Sequence, residues 1–365
     1  MSRAAADRIP LPGGRNLKLS VVVRSKDEAD RLRLTLASLA RQSHPAEVVV
    51  VDDGSSDHTA EVIAEAARKT PITRLRHPSA LGRSDASNAG ARAASGEVVL
   101  FLDGDTLAGP DCVARHVAAH ARTPGLCGRG ETFHLRATRF LLDPETASPR
   151  PGQEARLARM PPAEREGLKV TLAQVEQDFA AIDRRASPGL YPGAGPRALY
   201  DIEVTALRQH PGCGVLWAAA SGANFSVRRD AFLASGGFDE ALVINEHREL
   251  ALRMCLEGGR MGFVEGARSY HMTHRSGWRD PLTEPGWEAA FYRRHPIRAV
   301  KLLPVLWASL ADASPVPPPA RITSLADLER IAGEASSIDY DAVRRLIPGL
   351  QPLDAAASAQ VAASG

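Results

Sequence analysis

"SVVVRSKDEADRLRLTLASLARQSHPAEVVVVDDGS" (residues 20–55) sets two unbroken valine runs on either side of a stretch with a different period. Each run is β-branched, short and bounded by polar residues, the pattern of a strand buried on both faces. Between them, 27–42 carries Leu32, Leu34, Leu36 and Leu39 on a roughly helical period. Strands joined through a crossover helix run parallel. The alternation continues along the chain: 57–69 reads as a helix with Asp57 or a preceding Ser at its N-cap. A weaker strand follows at 72–77, a glycine-opened helix at 81–95 and a fourth strand at 96–106. The order βαβαβαβ predicts an α/β protein with a mostly parallel, Rossmann-like central sheet flanked by helices. Such sheets bind ligands beyond the carboxyl ends of their strands. Those ends carry Arg24-Ser25, Asp52-Asp53 and Asp103-Asp105.

The rest of the chain divides around this core. Residues 1–16 read as a flexible arm and 17–123 as the first, ligand-binding half. The stretch 124–212, rich in Pro, Gly and charge, reads as a partly helical insertion outside the sheet. Residues 213–296 resume compact structure, with 260–278 reading as strand, turn and loop. Residues 297–365 read as a helical extension, broken by a polyproline-like linker at 313–321, with a disordered tail. At 365 residues the chain can bury a sizeable core. Its 45 Lys and Arg nearly balance 43 Asp and Glu, so no basic field points to nucleic acid. Cys112, Cys127, Cys213 and Cys255 form no CxxC pair. They read as reduced thiols of a cytoplasmic protein rather than zinc ligands or disulfides. No signal-like core opens the chain. The most apolar stretch, 299–311, carries Lys301 and Pro304 and falls short of the roughly 20 residues of a membrane span.

"VLFLDGDTLAG" (99–109) ends an apolar run in two carboxylates two residues apart. Like charges that close raise each other's pKa unless a cation sits between them. If the strand continues, both side chains share a face, and oxygen ligands of this kind suit Mg²⁺ or Mn²⁺. The competing reading is a loop whose carboxylate caps the next helix. Of Asp52 and Asp53, one can cap a helix while the other accepts from a base or ribose. Arg83, beside Gly82 at a helix start, suits an anion.

Taken together, "LSVVVRSKDEADRLRLTLASLARQ", "VVVVDDGSSDHT", "LGRSDASNAGARAASGEVVLFLDGDT" and "SGANFSVRRDAFLASGGFDE" resemble the family 2 nucleotide-sugar glycosyltransferases with the GT-A fold. The resemblance spans about 17–120 and 218–275. It implies a UDP-sugar donor, with Asp53 on the uracil and Arg24, Ser25 and Glu28 completing the base pocket. It implies that Arg83 reaches the diphosphate, that Asp103 and Gly104 lie at the ribose and metal, and that Ala223 and Asn224 line the donor sugar. Mn²⁺ or Mg²⁺ would be held by Asp103, Asp105 and a late histidine, His271 in preference to His274. Asp239 would lie toward the acceptor, and Tyr191, Tyr200 and Trp217 are candidates for stacking on it.

Inverting relatives carry a Glu-Asp pair, then Glu-Leu and an Arg. In "EHRELALR", Glu246, Glu249, Leu250 and Arg253 keep that spacing, but His247 replaces the aspartate that takes the acceptor's proton. Either His247 is the base, since its ordinary pKa near ~6.5 suits that work, or Glu246 is, or the reaction retains configuration and needs none. The resemblance favours inversion. It implies a hexosyl- or N-acetylhexosaminyltransferase acting on a hydroxyl, amine or similar group of a small molecule, carrier-bound intermediate or glycan; a homodimer is a candidate assembly. The rival readings are a degenerate nucleotide-sugar-binding protein and a sugar-phosphate nucleotidyltransferase, although 21–30 lacks the latter's glycine loop. "FLDGDTL" also resembles the haloacid-dehalogenase phosphatase motif but has Leu107 where Thr or Val is required.

Overall fold

In the computed structural model, which describes residues 17–188, 199–274, 281–284, 286–335, 337–350 and 353, the valine runs form the expected strands. β1 (Leu19–Ser25), α1 (Ala29–Ala40), β2 (Glu47–Asp52), α2 (Thr59–Ala67), β3 (Ile72–Arg76), α3 (Arg83–Ala93) and β4 (Val98–Asp103) follow in order. Every residue of β1 is buried, and β1 pairs in parallel with both β2 and β4. Asp57 accepts from the Ala29 and Thr59 amides, each at 3.0 Å. One carboxylate therefore ties together the starts of α1 and α2.

Past β4 the chain continues through β5 (Thr106–Ala108), α4 (Cys112–Arg122) and β6 (Leu126–His134). A small hairpin of β7 (Leu141–Asp143) and β8 (Ser148–Pro149) leads to α5 (Glu154–Arg159), α6 (Pro162–Gly167), α7 (Leu172–Gln177), α8 (Phe179–Asp183) and β9 (Ser187–Pro188). Then come α9 (Leu199–Gln209), β10 (Phe225–Arg228), α10 (Arg229–Ala234), α11 (Glu246–Leu256) and β11 (Arg260–His271). The chain closes with α12 (Trp287–Arg294), α13 (Arg298–Ser309), α14 (Leu325–Gly333) and α15 (Tyr340–Arg345). The main sheet has the order β3-β2-β1-β4-β10-β6-β11-β5, with β9 against β6. Its first four strands are parallel, and β10 is antiparallel to both β4 and β6. This is the mixed α/β architecture, a central sheet flanked by helices, expected for the GT-A fold.

Three expectations change. Residues 126–134 are not part of an insertion but a core strand, buried over its first seven residues. The glycines and charges of "LCGRGETFH" disguised it. Gly130 lies where neighbours leave no room: a Cβ there would sit 2.4 Å from the Asn224 side-chain amide and 2.5 Å from the Ala267 carbonyl. Gly130→Ala is expected to destabilise the fold by about 2–3 kcal/mol through overpacking, measurable as a lowered urea midpoint with an unchanged slope. Second, β11 is one long strand with an irregularity between Phe263 and Arg268, where a strand, turn and loop were expected. Third, 313–321 is not a free spacer. Val316 and Ala320 are buried in the same apolar cluster as α13, α14 and α15, so the C-terminal helices pack on the core. Among the described residues no helix is long and apolar enough to cross a membrane.

Candidate active site

The β1–β4 ladder sets Arg24 opposite Asp103, and Arg24 Nε donates to Asp103 Oδ1 at 2.7 Å. The Gly104 amide donates to the Arg24 carbonyl at 2.9 Å, and Thr35 Oγ1 donates to the Gly104 carbonyl at 2.9 Å. A Cβ on Gly104 would fall 2.4 Å from Glu28 Oε1 and 2.7 Å from Ser25 Oγ. The glycine lets the ends of β1 and β4 close on one another.

From there the chain crosses to the far edge of the sheet. Antiparallel pairing of β5 with β11 puts His271 opposite Thr106, and the Met272 amide donates to the Asp105 carbonyl at 2.9 Å. Asp105 Oδ2 consequently lies 3.1 Å from His271 Nε2 and 2.7 Å from His274 Nε2. The strand does not persist through Gly104, so the two carboxylates diverge rather than share a face. Asp103 pairs with Arg24, and Asp105 pairs with the histidines. Of the predicted metal set, Asp105 and His271 come together with His274 in place of Asp103.

One carboxylate oxygen and two imidazole nitrogens, from Asp105, His271 and His274, lie within 4.8 Å of one another. That donor set suits a divalent cation such as Mn²⁺. Burial works to raise the pKa of Asp105, but the two imidazoles outweigh it and hold the carboxylate well below its usual range. Burial, then the charges of Asp105 and Asp103, push Glu28 well above its ordinary value. Negative charge is thus crowded around this corner, which a bound cation would relieve. The residues present fit the metal that the resemblance implies. His274→Ala and His271→Ala are each expected to weaken Mn²⁺ binding by about tenfold or more, as removing a ligand does, in a calorimetric titration of the metal alone.

The opposite wall is the start of α11. Asn245, ahead of it, takes a left-handed conformation with φ 65°, a strained choice that aims Glu246 and His247 at the sheet edge. Glu246 is 1% exposed. Its Oε1 lies 3.7 Å from Arg24 Nη1 and its Oε2 lies 3.7 Å from Arg83 Nη2. Burial would raise its pKa, but Arg83, His247 and Arg24 prevail and keep it far below the usual carboxylate range. Arg24 spans the site, with Asp103 on one side and Glu246 on the other. Ser25 Oγ, Glu246 Oε2 and His247 Nδ1 are all buried without a hydrogen-bond partner. Native interiors seldom leave such atoms unpaired unless a ligand completes them.

Other predicted residues have different posts. Asn224 is fully buried. Its amide nitrogen donates to the Ala267 carbonyl at 2.8 Å, and its oxygen lies 2.8 Å from His116 Nε2. It braces the sheet rather than lining a cleft, while its neighbour Ala223 is partly exposed. Asp53 accepts from His77 Nδ1 at 2.7 Å and from the Leu81 and Gly82 amides at 2.9 Å. It therefore shapes the loop that carries Arg83, and burial is outweighed by these bonds, so its pKa is lowered. Arg83 Nη2 donates to the Val243 carbonyl at 2.6 Å. Glu249 and Arg253 pair at 2.6 Å, and Arg253 donates to the Gly237 carbonyl at 2.7 Å. That half of the motif fastens the Gly-Gly turn. Asp239 pairs with Arg294 at 2.8 Å. Tyr200 and Trp217 are core residues, 8% and 1% exposed, and Tyr191 lies outside the described residues. Sequence reading missed Arg248, which meets His247, and Glu203, which holds Arg248 from α9.

Residues 20–142 match the model of glycosyl transferase family 2. A validoxylamine A glucosyltransferase of Streptomyces hygroscopicus subsp. jinggangensis (strain 5008) is 41% identical over 107 residues, 28% of this chain and 25% of that protein. An uncharacterized glycosyltransferase, YfnE, of Bacillus subtilis (strain 168) is 33% identical over 116 residues, 31% of this chain and 30% of that one. The matched stretch thus spans under a third of the length of these relatives. Among solved structures, the mannosyltransferase PcManGT from Pyrobaculum calidifontis, in complex with GDP-Man and Mn²⁺, is similar with a TM-score of 0.48 and 17% identity, over 96% of this chain and 76% of that one. The segment carrying β1 to β6 is thus similar to glycosyl transferase family 2.

Proposed function

We propose that this protein transfers a sugar from a UDP-sugar to a hydroxyl or amine acceptor, using Mn²⁺ or Mg²⁺. The observation that carries this reading is the convergence of Asp105, His271 and His274 within 4.8 Å at the same carboxyl ends of the strands as the Arg24–Asp103 pair and the buried Glu246, in a chain whose residues 20–142 match a family of sugar transferases. A divalent cation bound there supplies charge neutralisation for the departing diphosphate. The chain's own residues do the remaining work. Arg83 and Arg24 attract the diphosphate. Ser25, Glu28 and Gly104 close the donor end, and the loop tied by Asp53 frames it. Ala223, partly exposed, borders the sugar. Glu246 and His247 face the acceptor, whose hydroxyl is oriented for attack from the side opposite the diphosphate, which gives inversion.

A screen of common UDP-sugars for UDP release with Mn²⁺ tests this. Release from at least one donor, faster with acceptor present and abolished by a chelator, is the expected result. Brisk metal-dependent turnover of a generic aryl phosphate, or no release from any nucleotide-sugar, would contradict it.

A further inference from the structure

The replacement of an aspartate by His247 leaves two candidates for the acceptor's proton. The geometry of His247 separates them. Arg248 Nη1 lies 3.0 Å from His247 Nε2. A guanidinium can only donate, so Nε2 must be the acceptor in that hydrogen bond. An imidazole whose Nε2 accepts carries its proton on Nδ1. Burial, against the pull of Glu246, keeps the pKa of this ring below its ordinary value, which matches a neutral imidazole at pH 7.

Arg248 is itself fixed. Its Nε donates to the Ala218 carbonyl at 2.8 Å, its Nη1 to Asn245 Oδ1 at 2.9 Å and its Nη2 to Glu203 Oε1 at 2.9 Å. Glu203, 1% exposed, receives Arg129 on its other oxygen at 2.5 Å. Three partners, Ala218, Asn245 and Glu203, therefore lock one guanidinium against Nε2. On the free side of the ring, Nδ1 stands 3.8 Å from Glu246 Oε2, too far for a direct hydrogen bond, and neither atom has a hydrogen-bond partner. A single oxygen about 2.8 Å from each atom would bridge that gap.

We propose that His247 is a hydrogen-bond donor to the acceptor hydroxyl through Nδ1–H and not its base, with Arg248 and Glu203 as the positioning residues that impose this tautomer. This rests on the glycosyltransferase reading of the site. The acceptor oxygen accepts from Nδ1–H and offers its own proton to Glu246 Oε2. As that oxygen bonds to the anomeric carbon it takes on oxonium character, acidic enough to pass its proton even to a carboxylate held below its usual range, and the proton goes to Glu246. The bond from the anomeric carbon to the diphosphate oxygen breaks, and its electron pair leaves with the diphosphate. His247 keeps its proton throughout.

Nitrogen-15 NMR of histidine-labelled protein, with the His247 signals assigned by their loss in His247→Asn, reads the tautomer directly. A protonated Nδ1 and a bare Nε2 at pH 7.5 are expected; a protonated Nε2 overturns the proposal. Sequential through-bond assignment identifies the His247 ring where His247→Asn does not fold, so the wild-type spectrum decides this in either case, and it does not depend on the reaction being glycosyl transfer. Arg248→Leu should shift the ring toward the Nε2–H form, and Arg248→Lys should restore Nδ1–H. An unchanged tautomer in a folded Arg248→Leu protein overturns the positioning role. Turnover supplies different expectations for the two roles. If His247 donates, His247→Asn, whose amide can donate, loses about tenfold, the worth of one weakened hydrogen bond. If His247 is the base, His247→Asn, whose amide cannot take a proton, loses about a hundredfold to ten-thousandfold, and a loss of that size in a folded variant overturns the proposal. Absence of transferase activity in the wild type would refute the function while leaving the tautomer result standing.

Discussion

Asp105→Ala is expected to lower Mn²⁺-dependent UDP release by about a thousandfold or more, the scale of losing electrostatic stabilisation of a leaving group. The size of the effect follows from position. Asp105 is 4% exposed and, among the described residues, is the carboxylate that meets both His271 and His274. Its loss leaves two imidazoles facing each other with no anion between them. The fold should survive, because β5 is held by backbone pairing to β11 rather than by the carboxylate. Asp103→Ala should be milder in metal affinity, since that side chain is paired with Arg24 at 2.7 Å. Release of UDP is the assay, with circular dichroism as the check on folding. Turnover within tenfold of wild type in Asp105→Ala would remove the residue from the donor site.

The second large effect is expected from Glu246→Gln. The change preserves shape but removes the charge that Arg24, Arg83 and His247 surround. Transfer to acceptor should fall by about a hundredfold to ten-thousandfold, the range for a lost general base. UDP affinity should not fall with it, because two arginines lose a competing anion. The split between turnover and nucleotide affinity is the informative reading. A parallel loss of both would make Glu246 a brace for the arginines and nothing more.

The strands, the crossovers and the clustering of polar residues at one sheet edge were legible because buried parallel strands write themselves as valine runs. β6 was not, since its packing demands glycine where the sequence pattern demands bulk. The reach of Asp105 to His271 was recoverable only by family resemblance. It depends on β5, three residues long, crossing the sheet to pair with a strand more than 150 positions later. Asp53 and Asn224 were read as ligand contacts because their types and positions fit. Their bonds to His77, Leu81, Gly82, His116 and Ala267 belong to tertiary packing, which no local pattern encodes. Arg248 sat within the quoted motif unread, because its meaning comes from Glu203 on a helix some 45 residues earlier.

The central claim is a cation-assisted nucleotide site at the ends of β1, β4 and β11. Calorimetric titration of UDP into the protein, with and without Mn²⁺, tests it most directly. UDP should bind at least about tenfold tighter with Mn²⁺ than without, as expected when a metal bridges protein and diphosphate, and Asp105→Ala should erase that difference. Equal UDP affinity with and without the metal in the wild type, or no binding of UDP in either case, would contradict the account.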